Sequence, residues 1–540
     1  MNILLISIDA KFIHTNNAVR LLKANSTFPI EIREFTIKDR ITTIEKTIRQ
    51  RKWDVIGFSV YIWNVELVKQ LLIRVENTSK TIILGGPEVS YDPEHFLQYR
   101  AVEVIVRGEG ELVFDRLLQR LQHNKPYEDL PNIAYRKQGE IIKKPIEEIQ
   151  HLNSLEAPYY FEDDIANIPN RITYIESSRG CPYHCSYCLS SLEKSVRFFP
   201  VEGVKRAITY AMKHGSQTIK FLDRTFNANR HTLDILDHII HEDNGRTVFQ
   251  FEITGEVLSP KIIEYIHNYA RPGLFRFEIG IQSTNETTNH LVDRHQNTPQ
   301  LFDRIRQIQQ GGIIDLHLDL IAGLPQEDLA SFKKTFDEVF FLGAKELQLG
   351  FLKMLRGTKI RLFADLYHYK YHEQAPYEII ENNVLSKRNI NEIKHVEHML
   401  EMHHNKGYFG DNLHQYILSQ PSPYAFFKKL YAHYKKHKFK QHGYQLVDVY
   451  NNLLLFLPED HHYSILQDYL LRSKIKPQIF FTQSLTKKER NMVLQQVHNI
   501  TNIPLHKLYK HSVILKGKSE YFVAYYEDQN CISYKVKAPE

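Results

Sequence analysis

The chain is poor in cysteine, in tryptophan and in long apolar runs. Only four of its 540 residues are cysteine, and three of these, Cys181, Cys185 and Cys188, fall within eight positions. That distribution excludes the evenly spread framework of a disulfide-stapled secreted domain. No apolar run approaches the ~20 residues that span a bilayer, which excludes a membrane-spanning helix. The opening MNILLISIDAKF is apolar but lacks a basic flank and a cleavage site, so it reads as a buried strand rather than a secretory signal. The expected compartment is the cytoplasm, where thiols stay reduced and a tight trio of them points to a metal or a cluster. A net charge of +6 marks no partner, but it is uneven: residues 421–540 carry 18 Lys and Arg against 9 Asp and Glu.

What is there is a regular alternation. NILLISI (2–8), IEIREFTI (30–37), DVIGFSV (54–60), TIILGG (81–86) and VEVIVRG (102–108) are short β-branched runs separated by amphipathic stretches. Apolar strands alternating with helices imply a parallel sheet covered on both faces. The expectation for residues 1–135 is a doubly wound, flavodoxin-like α/β domain, with ligands at the carboxyl ends of its strands. GFSVYIWN, GGPEVS and RGEGE fall at those ends. A polar, proline-bearing stretch, 136–165, reads as a linker. The alternation then resumes with RITYIESS (171–178), TIKFLDRTF (218–226), VFQFEIT (248–254), LFRFEIGIQS (274–283), LHLDLIAGL (316–324) and ELQLGFLKM (346–354). Six β/α units over 166–365 predict an open, partial barrel of the TIM type. Residues 366–540 read as a mostly helical α+β domain ending in a hairpin, SVILKGKSEYFVAYYE.

The strongest chemical signal is GCPYHCSYC (180–188), directly after the first strand of the second domain. A cubane [4Fe–4S] cluster ordinarily takes four thiolates. Three leave one iron open to chelate a small ligand. A zinc site completed by His184 is the alternative these residues allow. A loop at the mouth of a β/α barrel is also where active sites form.

A Cys-x3-Cys-x2-Cys motif with an aromatic before its third cysteine resembles the signature of radical S-adenosylmethionine (SAM) enzymes. That resemblance spans about residues 170–360, with FLDRTFN, FEIGIQS and DLIAGLPQE as later strand ends. It is to the subgroup holding the anaerobic magnesium-protoporphyrin cyclase and cobalamin-dependent methylases. It implies that the open iron binds SAM, which is cleaved to methionine and a 5′-deoxyadenosyl radical, and that a low-potential donor such as flavodoxin or ferredoxin supplies the electron. It implies that Tyr187 lies near the adenine and that Gln282 and Ser283 lie near ribose or methionine. Asp223 could then accept from the SAM ammonium, or cap a helix, or pair with Arg224. Glu252 and Glu278 interrupt apolar strands, and buried carboxylates need partners; a cofactor, Arg276 or Lys220 would serve.

The first domain resembles the cobalamin-binding domain of the same subgroup. Gly57, Ser59 and Tyr61, read as following the third strand, and Gly85, Gly86 and Glu88 after the fourth would border the corrin, with Ser59 placed to hydrogen-bond the displaced dimethylbenzimidazole. The Asp-x-His-x-x-Gly pattern that supplies a lower cobalt ligand is replaced by DAKFIHTNNA. His14 has the wrong spacing, so base-off binding without a lower histidine is expected. The layout through the end of the chain resembles an uncharacterised bacterial branch with a C-terminal domain of unknown function.

The resemblance carries no substrate. It implies methylation of an unactivated carbon, with a cyclisation, rearrangement or oxidation without methyl transfer as the alternative. The lysine- and aromatic-rich KKLYAHYKKHKFK (428–440) leaves open an RNA-modification enzyme docking through its tail, or simply a solvated helix face. Cys531 reads as a structural thiol.

Overall fold

In the computed structural model, Ile3–Asp9 forms a strand, β1, whose seven residues are all buried. A strand buried on both faces needs a helix layer above and below it. Both layers are present, and the apolar residues divide into two clusters on opposite sides of the sheet. The structure describes residues 1–76, 79–158, 162–193, 195–481 and 485–537. It divides into two units, Met1–Phe332 with Gly350–Lys387, and Lys333–Leu349 with Arg388–Glu540.

The first sheet adds β2 (Ile30–Thr36), β3 (Trp53–Ser59), β4 (Ser79–Gly85), β5 (Val102–Val106), β6 (Ile133–Lys137) and β7 (Glu140–Lys143), in the order β2-β1-β3-β4-β5-β6-β7. The first five run parallel. The order 2-1-3-4-5 is the flavodoxin-like one, and its switch point lies between β1 and β3. The last two strands are antiparallel additions. Glu140–Lys143, read as linker from the sequence, is therefore the edge strand of this sheet; residues 159–161 of that linker lie outside the described residues.

The second sheet holds β8 (Ile172–Ile175), β11 (Thr218–Phe221), β12 (Val248–Ile253), β13 (Phe275–Gln282), β14 (Asp315–Ala322) and β15 (Glu346–Phe351), ordered β15-β14-β13-β12-β11-β8. These are the six expected strands in sequential order, with parallel pairing from β8 through β14. Between β8 and β11, two-residue strands β9 (Ser178–Arg179) and β10 (Arg197–Phe198) pair antiparallel, Arg179 opposite Arg197. The three-cysteine loop is the loop of this ribbon. Beyond β15, β16 (Lys370–Tyr371) pairs with β17 (Ile379–Glu381).

The second unit is built of helices, including Pro423–Lys436, capped by the Ser422 side chain, and Lys487–Thr501, opened by a capping box of Thr486 and Glu489. It ends in an antiparallel sheet of β18 (Ser512–Lys516), β19 (Glu520–Glu527) and β20 (Asn530–Lys537). The expected hairpin thus has a third strand, and Cys531 lies on it. Lys428 of the basic helix pairs with Glu392, while Lys429, Lys435 and Lys436 stand in solvent on a helix whose other side is buried. Among the described residues no helix is long and apolar enough to cross a membrane.

Candidate functional site

The cysteine loop leaves its ribbon through Gly180, at φ +90°, where a Cβ would stand 2.1 Å from the Ser195 carbonyl oxygen. Only glycine fits there, so the turn that starts the loop is fixed one residue before Cys181. Inside the loop, Cys188 N–H donates to the Cys185 carbonyl (3.0 Å), and Ser186 is tied both ways: its N–H donates to Val292 O (2.8 Å) and its carbonyl accepts from Ile360 N–H (3.0 Å). Cys181 Sγ lies 3.7 Å from Thr225 Oγ1 and Cys185 Sγ lies 3.9 Å from Arg294 Nη1. Burial lifts the Cys181 thiol above its usual range, and the charges of Cys188 and Cys185 add to the shift. The thiols therefore share one electrostatic neighbourhood. Among the described residues no three ligating side chains gather around a single-ion position, and His184 is exposed. A cubane spreads its ligands more widely than one ion does, and three thiolates in one loop fit one with an open iron.

The loop's neck is held by charge. Arg179 pairs with Glu109 (3.2 Å), Glu111 (2.6 Å) and Glu176 (2.9 Å), and Arg197 with Glu109 (2.8 Å). Glu109 and Glu111 belong to the RGEGE loop at the carboxyl end of β5. Both arginines beside the cysteine loop are thus anchored on the first domain.

The barrel strands alternate. β12 and β13 bury Phe249, Phe251, Phe275 and Phe277 on the outer side and present Gln250, Glu252, Arg276 and Glu278 on the inner. Lys220 reaches Glu278 at 2.8 Å and Glu252 at 3.8 Å; Glu252 also meets Arg224 at 3.7 Å. His317 bridges Arg276 and Asp319. Burial raises the Glu252 carboxyl, opposed by Arg224 and Lys220. A charged inner face is a site for a polar ligand rather than a packed barrel core.

The other expected residues fall as follows. Tyr187 OH lies 3.4 Å from Arg294, whose Nη2 donates to the Gly280 carbonyl. Gln282 sits at φ +67° on a bulge of β13, with its Oε1 buried and without a hydrogen-bond partner. Ser283 donates to Glu327 at 2.6 Å and accepts from Asn285 N–H, so its hydroxyl is spent inside the turn. Asp223 is fully buried and accepts from Ser177 N–H (2.9 Å), Ser177 Oγ (2.5 Å) and Ser178 Oγ (2.6 Å); desolvation still pushes it up to about 6. It braces the strand end that feeds the cysteine loop.

On the first domain, Gly57 and Ser59 lie within β3, not after it. A Cβ on Gly57 would meet the Leu5 side chain at 2.5 Å, so the glycine answers to sheet packing. Ser59 Oγ accepts from Asn16 (3.0 Å), which leaves its own proton to donate. Tyr61 stacks on Trp63 at 4.5 Å. Gly85 ends β4, and Gly86 has φ +108° with a Cβ position 2.5 Å from Val60 O. Glu88 is buried and accepts from Tyr377 OH (2.6 Å), with Arg356 3.7 Å away. His14 is bonded through Nδ1 to Tyr174 OH at 2.7 Å. At the switch point Phe12, Ile13 and Trp63 are exposed, and the Asn17 Oδ1 is buried without a partner. An apolar rim with an unmet acceptor fits a large flat macrocycle with polar arms.

Sequence reading missed Arg294 and the Arg179–Glu109–Glu111 contacts. RGEGE offered a signal, two acids at a strand end; Arg294 offered none.

Residues 8–118 match the B12 binding domain, residues 175–339 the Radical SAM superfamily, and residues 365–533 a protein family of unknown function, DUF4080. The chain is 24% identical to the cobalamin-dependent radical SAM methyltransferase TokK of Streptomyces tokunonensis, over 54% of this chain and 46% of that protein. It is also 24% identical to the anaerobic magnesium-protoporphyrin IX monomethyl ester cyclase of Synechocystis sp., over 46% of this chain and 50% of that one. The chain spans about half the length of these two curated relatives. Among solved structures, the cobalamin-dependent SAM radical enzyme OxsB with aqua-cobalamin bound superposes with a TM-score of 0.60 at 16% identity, covering 94% of this chain and 76% of that one. The radical SAM methyltransferase TsrM from Kitasatospora setae gives 0.59 at 14% identity, covering 72% and 82%. At such identities the likeness is one of fold. The chain carries a B12-binding domain, a radical SAM domain and a DUF4080 domain, and the first two go with cobalamin, a [4Fe–4S] cluster and SAM.

Proposed function

We propose that this chain is a cobalamin-dependent radical SAM enzyme that methylates an unactivated carbon. The observation that carries the reading is the position of the three-thiol loop, opening beside a charge-lined barrel face while its neck is ion-paired to the B12-binding domain. When bound, the cluster and SAM supply a carbon-centred radical, and cobalamin supplies a methyl carrier. Cys181, Cys185 and Cys188 hold the cluster. Arg294, beside Cys185, is the cation available to the SAM carboxylate, and the Gln282 carbonyl oxygen is an acceptor that lacks a donor. Lys220 with Glu252 and Glu278 forms the polar wall. Tyr187 shares Arg294 and fixes its orientation. Ser59 keeps a proton for the cobalamin tail. The bond from His14 to Tyr174 supports a lower cobalt face without histidine.

Likeness to the Synechocystis cyclase favours a second reading, radical chemistry without methyl transfer. The cluster- and cobalamin-loaded chain, given methyl-deuterated SAM, dithionite and a small-molecule extract, is expected to yield a product bearing an intact trideuteromethyl group. Consumption of an extract component with 5′-deoxyadenosine formed and no label transferred would overturn the methylation reading in favour of the second.

A further inference from the structure

The DUF4080 match begins at residue 365, yet its first residues, up to Lys387, fold with the B12-binding and radical SAM domains rather than with the helical unit. They form the ribbon of β16 and β17, and this ribbon touches a loop of each domain. Tyr369 OH, just before β16, and Asn382 Nδ2, just after β17, both donate to the carbonyl of Gly323, at 2.9 and 3.4 Å. Gly323 opens the loop after β14 at φ +96°, and Ile379 of β17 fills the space a side chain there would need. Two residues before Ile379, Tyr377 OH donates to Glu88 in the loop after β4, at 2.6 Å.

The loop after β4 depends on such outside contacts. It is a single helical turn, Pro87–Ser90, entered through Gly86 at φ +108°. One turn has too few hydrogen bonds to be stable alone. Glu88 N–H donates to Val60 O at 3.4 Å, so the turn lies against the end of β3, beside the switch point where such sheets bind ligands. Its far end is fastened at Ser90, whose carbonyl accepts from Arg107 Nε (2.8 Å) and whose hydroxyl accepts from Gly108 N–H (3.1 Å). Its near end is fastened at Glu88. That carboxyl is buried, and burial lifts it above its usual range against the pull of Tyr377 and Arg356. Arg356 Nε donates to the Tyr377 hydroxyl oxygen at 3.0 Å, and its guanidinium pairs with Asp92, two residues past the turn. The hydroxyl therefore accepts from Arg356 and gives its own proton to Glu88. Tyr377 is fully buried at φ +57°, a left-handed backbone that bulky residues seldom take. Such strain persists where surrounding contacts over-determine it, and it gathers at ligand sites.

We propose that the β16–β17 ribbon ties the corrin-bordering loop to the barrel, and that Tyr377 is the positioning residue of this tie, acting through Glu88. The inference rests on the cobalamin reading above. It gives the first part of a family of unknown function a task, which is to hold the loop after β4 and the loop after β14 at one spacing.

The test is equilibrium dialysis of hydroxocobalamin against the full cluster-loaded chain, with labelled SAM dialysed separately as the reference ligand. Tyr377→Phe removes one oxygen and keeps the ring. It is expected to weaken cobalamin binding by about tenfold, with SAM binding as in the wild type. Glu88→Met should weaken cobalamin binding likewise. Adding Tyr377→Phe to Glu88→Met should weaken it no further, because the tyrosine acts through that carboxyl. A Tyr377→Phe chain that binds hydroxocobalamin like the wild type would overturn the proposal, whatever its melting temperature, since the tyrosine would then serve packing alone. So would equal losses of cobalamin and SAM binding, or losses that simply add in the double variant. A wild-type chain with an intact cluster that binds no hydroxocobalamin would overturn the cobalamin reading itself, and this inference with it.

Discussion

In the B12-binding sheet β1 buries all seven of its residues, whereas in the barrel sheet β13 alternates buried Phe275, Phe277, Ile279 and Ile281 with half-buried Arg276, Glu278, Gly280 and Gln282. Both sheets are parallel and both come from alternating strands and helices. The first has helices on both faces, so its central strands β1 and β3 are buried almost throughout and its chemistry falls at the strand ends. The second covers one face only and turns the other to a polar interior. A ligand can therefore be held along the strands in the barrel, but only at their tips in the first domain.

Four measurements sharpen or break that contrast. The largest effect is expected at the join. Arg179→Met leaves Glu109, Glu111 and Glu176 without their shared cation, and removing one partner from a buried cluster costs about 3–5 kcal/mol. A fall of that size in the unfolding free energy, measured by urea titration, is the expected result. Next, Leu84→Ala in the doubly covered sheet should cost about 3 kcal/mol by the same measurement, through lost burial and a cavity.

The third concerns Asp9, at the end of β1, whose carboxyl burial pushes up to about 6 from 3.8. A raised carboxyl contributes stability that is complete below about pH 4 and is lost as pH rises through 6. The wild type should thus lose up to about 3 kcal/mol across that interval. Asp9→Asn should make the slope shallower by up to that amount and leave the part that Asp223 contributes, as thermal melting against pH will report. The smallest effect belongs to the polar face. Lys220→Met leaves Glu278 and Glu252 with weaker partners, at a cost of about 1–2 kcal/mol. If it cost as much as Leu84→Ala, the inner face would be a packed core and the contrast would fail.

The strands of both sheets were legible because their apolar runs are long and regular, as in NILLISI and LFRFEIGIQS. The β6–β7 hairpin was not, since IAYRK runs out into exposed Arg136 and Lys137 and EIIK is a short, polar edge strand that resembles linker. β20, NCISYKVK, hid for the same reason. The cysteine spacing is local, so it was readable. The partners that hold its loop are not: Glu109 and Glu111 stand about 70 residues before Arg179, and only the fold brings them together. Gly57 looked like a ligand-facing glycine because sequence cannot tell a close corrin from a close Leu5 side chain. Asp223 looked available because a buried carboxylate breaking a strand reads alike whether serines or a cofactor satisfy it.

If the three thiols hold a cluster with one iron open to SAM, the reduced chain must cleave SAM. The direct measurement is 5′-deoxyadenosine released when the anaerobically reconstituted chain is incubated with SAM and dithionite, quantified by liquid chromatography with mass detection. Release in the wild type, abolished in each of Cys181→Ala, Cys185→Ala and Cys188→Ala, is the predicted result. A wild-type chain whose cluster is intact and reduced, yet which cleaves no SAM, would contradict it.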